Sequence, residues 1–286
     1  MLYGLCSALG FGIADLFGAI NTRRIGVPVT VFLVHLFEVA ALSTLLVTPL
    51  PGSLDATRGA WIAILVSGAL GTISFFSFYR ALQLGPMAVV GPVFASYAAI
   101  AVILSVALIG ERLSTLATLG VVSTLVGVVL ASVGTATKER GAEPSWGGVP
   151  FALGATVAWG VATFLIGRFA QETGWFLPVF GSRLVEFVSV GVVVVLLRGI
   201  GRTFRMPRRS DAAVAAGAGL ADVAAVALFA RGSQVGLVSI VSAVSATFPL
   251  VLIGAGVVLF RERPSSIQWI GSLVTVTGLV VLALGR

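Results

Sequence analysis

The chain has 286 residues, of which 58% are hydrophobic and only 10% charged, with a mean hydropathy of +1.09. Soluble domains carry about 25% charged residues, so a water-soluble fold is excluded, and about ten spans of roughly 20 residues would use most of the length. The net charge of +7 does not point to nucleic acid, because much of it lies in one connector, Arg198, Arg202, Arg205, Arg208 and Arg209, where it suits a membrane-surface loop facing anionic lipid.

Apolar runs fall at 2–20, 29–47, 60–82, 87–109, 116–134, 148–169, 176–197, 212–230, 238–260 and 267–284. Each is long enough to span a bilayer. The first has no basic n-region and contains Asp15 before reaching Arg23 and Arg24, so it reads as a retained helix and not a cleaved signal. It also holds Cys6, the single cysteine, which has no partner in the chain for a disulfide and reads as a small apolar helix residue. The second run carries His35 and Glu38, three apart and so on one helix face. With Asp15 near the end of the first helix and His35 near the start of the second, both are expected about 8–9 Å below one membrane surface, in a cluster with Glu38.

The third run brings Phe75, Phe76 and Tyr79, with Arg80 in its last turn, placed to snorkel to an interface. The fourth has Pro92 in its interior, with Phe94 and Tyr97, and the connector after it holds Glu111 and Arg112. Gly120 and Gly127 in the fifth suit close helix packing. The sixth carries Trp159 and Phe164, the seventh Arg183 and Glu186 on one face, and the eighth Asp222 with no partner in its own helix and Arg231 in its last turn. Pro249 stands inside the ninth run, Glu262 and Arg263 follow it, and Gly271 and Gly278 lie in the tenth.

Laid on itself with a shift of about 150 residues, the chain pairs Phe78 with Phe229, Arg80 with Arg231, Gln83 with Gln234, Glu111-Arg112 with Glu262-Arg263, Gly120 with Gly271, Thr124 with Thr275 and Gly127 with Gly278. A slightly smaller shift brings Gly12 onto Gly160 and places His35 and Glu38 on Arg183 and Glu186. Two units follow, 1–136 and 147–286. With five spans each, an odd number, the second enters the membrane from the opposite side, so the halves are inverted repeats, with a solute site expected between them near the midplane.

The Gln83-Leu84-Gly85-Pro86 turn, Pro92 in the next helix, the ending Gly110-Glu111-Arg112-Leu113-Ser114 and the Gly-rich helix after it resemble the EamA family of the drug/metabolite transporter superfamily. The second half repeats the pattern with Gln234, Gly236, Pro249 and Glu262-Arg263-Pro264-Ser265. The resemblance implies an all-α membrane fold of about ten helices in two EamA-like units around a central cavity, with no ATPase domain. It implies export of amino acids, metabolites or toxic compounds, commonly on an ion gradient. Some members of the superfamily are instead lipid-linked or nucleotide-sugar translocators.

An ionisable group at membrane depth costs about 2.5–3.5 kcal/mol on insertion scales, so each is expected to face the bundle interior. Asp15, His35, Glu38, Arg183, Glu186 and Asp222 are therefore the candidates for lining a cavity or for taking and releasing a proton as coupling ion, with Tyr79, Tyr97 and Trp159 as aromatic lining. Arg183 with Glu186 also reads simply as a buried ion pair. Pro92 and Pro249 are candidate hinges, and Glu111, Arg112, Glu262 and Arg263 are expected to lock helix ends. No nucleophile motif, metal-ligand spacing or phosphate loop occurs. Transport of a small solute is thus the expected activity, not catalysis, with no cofactor or metal and with the lipid bilayer as surroundings. For orientation the two arguments diverge. The connectors after the first, fifth, seventh and ninth runs hold most of the Arg and Lys, which predicts them cytoplasmic and both termini outside; the family resemblance implies both termini inside.

Overall fold

The computed structural model describes residues 1–48, 55–84, 90, 93–133, 146–200, 206–260 and 265–285. Among them the chain is helical. We number α1 (Leu2–Ile25), α2 (Val27–Leu45), α3 (Arg58–Leu84), α4 (Tyr97–Leu104, continued by a π-turn at Ser105–Ile109), α5 (Thr115–Val133), α6 (Val149–Thr173), α7 (Phe176–Gly199), α8 (Arg209–Val235), α9 (Val238–Ser245), α10 (Phe248–Phe260) and α11 (Ser266–Leu284). Nine segments among the described residues are long and apolar enough to span a bilayer, and Val93–Ile109 is a shorter apolar helix. Large apolar side chains such as Leu9, Ile13, Leu119 and Leu273 are exposed in rows along these helices, a surface that only lipid can cover.

Several boundaries differ from the sequence reading. The first helix does not stop before Arg23 and Arg24 but carries both in its last turn, and Gly26 alone joins it to α2, at φ +82 and ψ 163. That conformation is open essentially to glycine only. Asp15 consequently lies ten residues from the end of α1, about 15 Å deep and not 8–9 Å. The ninth run is not one kinked helix: it breaks at Ala246 and Thr247, and Pro249 is the second residue of α10. There its missing N–H is one the helix start would leave unpaired anyway. Pro92, Glu262 and Arg263 lie outside the described residues.

The two halves repeat each other contact by contact. Gly174 joins α6 to α7 at φ +84 and ψ 164, matching Gly26. A Cβ on Gly12 of α1 would meet Val251 and the Phe248 carbonyl of α10; on Gly160 of α6 it would meet Ile100 and the Tyr97 carbonyl of α4. Gly68 of α3 packs on the Ser182 carbonyl and Val185 of α7, and Gly219 of α8 on the Val34 carbonyl and Phe37 of α2. These pairs are related by the offsets read in the sequence. The repeats are therefore interleaved: α1 packs on α8 and α3 on α6, while α2 meets α7 and α5 meets α11 across the pseudo-twofold axis.

At the face carrying Met1 and Gly285 the bundle is densely closed. Leu42, Ile166, Phe176, Val179, Val226, Phe229, Val238 and Val241 form its largest apolar core. Ser114 donates to the Gly285 carbonyl (2.9 Å) and Gln171 to the Gly236 carbonyl (3.2 Å) across the same face. Glu111, nearly buried, accepts from the Val238 N–H (2.7 Å), the Ser239 N–H (3.0 Å) and the Ser239 hydroxyl (2.5 Å). A carboxylate of the first repeat thus caps the start of α9 in the second, where unpaired N–H groups and the helix dipole favour negative charge. Arg112 points outward.

Candidate functional site

The centre of the molecule is a buried charge network drawn from both repeats. His35 and Glu38 lie one turn apart on α2, with a hydrogen bond between His35 Nδ1 and Glu38 Oε2 (2.7 Å). Arg183 and Glu186 stand at the equivalent positions on α7 and are bonded Nη1 to Oε2. The two pairs face one another, as the α2–α7 crossing on the pseudo-twofold axis requires. His35 Nδ1 is 3.6 Å from Glu186 Oε2, and Arg183 Nε is 3.5 Å from Glu38 Oε2. Asp222 of α8 completes the ring, its Oδ2 3.1 Å from Arg183 Nη2. Each nitrogen of one guanidinium therefore faces a different carboxylate.

Asp222 has a counterpart that explains the packing. The offset that pairs Phe78 with Phe229 puts Asp222 opposite Gly71 of α3. Asp222 lies beside Glu38, and Gly71 lies against the Glu186 carboxylate so closely that a Cβ there would strike Glu186 Oε1. One repeat supplies a third carboxylate at this position and the other supplies a notch.

Beside the network runs a narrow cleft, closed down in this state to a volume of ≈ 10 Å³, walled by Phe11, Tyr97, Trp159, Thr163, Ile166, Val226 and Phe229. It too obeys the pseudo-symmetry. The Phe11 and Phe248 rings meet edge-on at 6.4 Å and 69°, and Trp159 and Tyr97 at 6.4 Å and 73°. The Arg183 guanidinium lies 5.8 Å over the Trp159 ring, which joins network to cleft, and Phe75 bridges the His35 and Trp159 rings at 5.2 and 5.8 Å.

Asp15 is not part of the expected cluster with His35 and Glu38. Its electrostatic neighbours are Asp222 and Tyr97. It is exposed, yet it shares the helix face of Gly4, Ala8 and Phe11, which turn inward, and stands off the lipid row of Leu5, Leu9 and Ile13. It therefore stands one turn beyond Phe11 on the same side of α1, next to the cleft wall.

Of the other sequence candidates, Tyr97 is buried in the cleft wall and Trp159 lines it. The Tyr79 side chain lies outside what is described. Phe94 packs on Phe78 (4.4 Å) and Tyr97 (5.8 Å) behind the wall, and Phe164 is buried core. Arg80 and Arg231 are exposed in their last turns, with Arg231 donating to Gln234 (2.7 Å). Phe11, Thr163, Ile166, Val226 and Phe229 were not singled out in the sequence. The signal was present for Phe11 and Thr163: the offset that overlays Gly12 on Gly160 overlays Phe11 on Trp159 and Asp15 on Thr163.

His35, Glu38 and Glu186 also bring metal-type donor atoms within 4.8 Å of one another. The Arg183 guanidinium, bonded to Glu186 and 3.5 Å from Glu38, already supplies a positive charge at that point, so the donor set reads as part of an ion network.

A family model described as EamA-like transporter family matches residues 1–133 and again 146–284. One solved protein crystal structure superposes with a TM-score of 0.79 at 21% identity, over 100% of this chain and 97% of that one, a likeness of fold. No curated protein matches the chain.

Proposed function

Because the chain belongs to the EamA-like transporter family, we propose that it is a secondary active transporter of the cell membrane, exporting a small organic metabolite, amino acid or drug-like solute by alternating access. One observation carries this reading: a charge network built from α2, α7 and α8 sits on the pseudo-twofold axis, beside a cleft whose walls come from both repeats. Rocking one repeat against the other would open such a site to alternate sides.

The charge count supports coupling to protons. Asp222, Glu38 and Glu186 face one guanidinium and one imidazole, so with all three acids ionised and the imidazole neutral the group carries two excess negative charges and is neutral only when two protons are held among these groups; low dielectric makes that imbalance costly. Asp222 faces Arg183 inside the network and is an electrostatic neighbour of Asp15 beside the cleft, a position suited to linking solute and proton. The test is a scan of solute uptake into proteoliposomes with and without a pH gradient. Asp15→Asn and Glu38→Gln are expected to abolish gradient-driven uptake at normal levels of folded protein. Unchanged uptake in both variants removes them from coupling, and no uptake of any solute class defeats the transport reading.

A further inference from the structure

We propose that the cleft selects an organic cation with a flat apolar body. The inference rests on the transporter reading for its setting and adds the chemical class of the solute.

It starts from the charge the cleft presents. Arg183 is fully buried and its guanidinium lies within ion-pair distance of Glu38, Glu186 and Asp222, so its charge is turned to these acids and away from the cleft. What remains accessible is negative. Asp15 is exposed one helical turn from Phe11 of the cleft wall, and Asp222, partly exposed, stands one turn from Val226 on the facing helix. Behind them, Glu38 Oε1 and Glu186 Oε1 are buried without a hydrogen-bond partner. A solute entering from the side of Asp15 therefore meets Asp15 and Asp222 first, with Arg183, Glu38 and Glu186 buried behind them.

The walls agree with the charge. Phe11, Tyr97, Trp159 and Phe229 offer ring surfaces, and the Trp159 ring already carries a cation, the Arg183 guanidinium, at 5.8 Å. Ring faces attract cations and flat apolar groups. An anion would meet like charge. A neutral solute would leave Asp15 facing an apolar occupant with its hydration removed. A cation on a flat apolar body satisfies both the carboxylate and the rings.

Three solutes of one shape separate these cases: 3-phenylpropylammonium, 3-phenylpropanamide and 3-phenylpropanoate, titrated calorimetrically into the purified protein. The cation is expected to bind at least about tenfold tighter than the amide, with the carboxylate weakest. Asp15→Asn is expected to bring cation and amide within about threefold of each other, and Asp15→Glu to keep the preference. Equal or tighter binding of the amide or carboxylate overturns the proposal, as does no binding of any of the three or a preference untouched in Asp15→Asn. If Asp15→Asn does not fold, the wild-type ranking and Trp159→Leu, expected to weaken the cation at least fivefold, still decide it. Counterflow of the same solutes in proteoliposomes keeps the two readings apart. Exchange of the amide or carboxylate in preference to the cation retains transport and overturns the cation class; selective cation binding without exchange retains the site and overturns transport.

Discussion

Arg183 is the residue on which most of the buried charge depends. Its three nitrogens face carboxylates from α2, α7 and α8, so removing it leaves three acids in low dielectric without a counter-charge. Breaking a buried ion network by deleting one partner costs about 3–5 kcal/mol. Arg183→Met is therefore expected to lower the melting temperature in detergent sharply, and Arg183→Lys, which keeps the charge but not the fork, less so; a melting temperature unchanged in Arg183→Met would mean that the network does not hold the three helices. Gly71 makes a subtler prediction. Its missing Cβ leaves the space into which the Glu186 carboxylate fits, so Gly71→Ala must push Glu186 away from Arg183. We expect overpacking of about 1–3 kcal/mol together with loss of transport, whereas Gly18→Ala, at a position with open space around it, should leave both unchanged.

Among the elements, the short helix α9 depends on a residue far away in sequence. Val238 and Ser239 present N–H groups that no residue of their own helix can accept, and Glu111 takes both. Glu111→Ala leaves them and the Ser239 hydroxyl unpaired in a buried place, at about 1–3 kcal/mol, while Ser239→Ala removes only one bond of the set and should cost about 1 kcal/mol. Equal melting temperatures for wild type and Glu111→Ala would show that water replaces the carboxylate. The sequence marked Glu111 as a helix-end residue but not its partner, because the contact crosses from one repeat to the other. Spacing shows which residues share a face of one helix, as with His35 and Glu38; only the internal offset indicates which helices meet. Asp15 was placed too shallow for a related reason. Charge in the sequence suggests an end to the first helix at the membrane surface, but Arg23 and Arg24 are in its last turn, and long basic side chains can lie at a helix end and still reach the headgroups. Of the cleft walls, Tyr97 and Trp159 were legible as aromatic lining and Phe11 and Thr163 through the internal offset, but Ile166, Val226 and Phe229 were not, since an apolar side chain facing a cavity and one facing lipid look alike in a sequence.

Taken whole, the molecule has two unlike faces. The one carrying Met1 and Gly285 is laced shut by Glu111, Ser114 and Gln171; the other gathers Arg24, Arg198, Arg208 and Arg209. Positive charge on short connectors holds a face in the cytoplasm, so the arginine-bearing face is expected inside and both termini outside. A reporter active only in the cytoplasm, fused after Arg286, should then be silent; strong activity would mean the chain inserts the other way, as the family resemblance implied. The charges were plain in the sequence, but the closed face was not, because it depends on bonds between residues as distant as Ser114 and Gly285.

The seam between α5 and α11 bears on how such a molecule could move. Gly127 lies against the Thr275 backbone and Gly278 against the Thr124 backbone, with Gly120 beside Leu282 and Gly271 beside Ala131. Small residues let the two main chains touch along the length of the bilayer, and neither can slide by one residue without driving a threonine or leucine into a space only glycine fits. The pair therefore behaves as a stator. Its outer sides, with Leu119, Val122, Leu273 and Val276, face the lipid, and under the alternating access proposed above the displacement that opens the cleft would fall to the helices that line it. A bilayer whose thickness tilts this fixed pair would shift the resting position of everything mounted on it, and membrane composition would set the transport rate without touching the solute site.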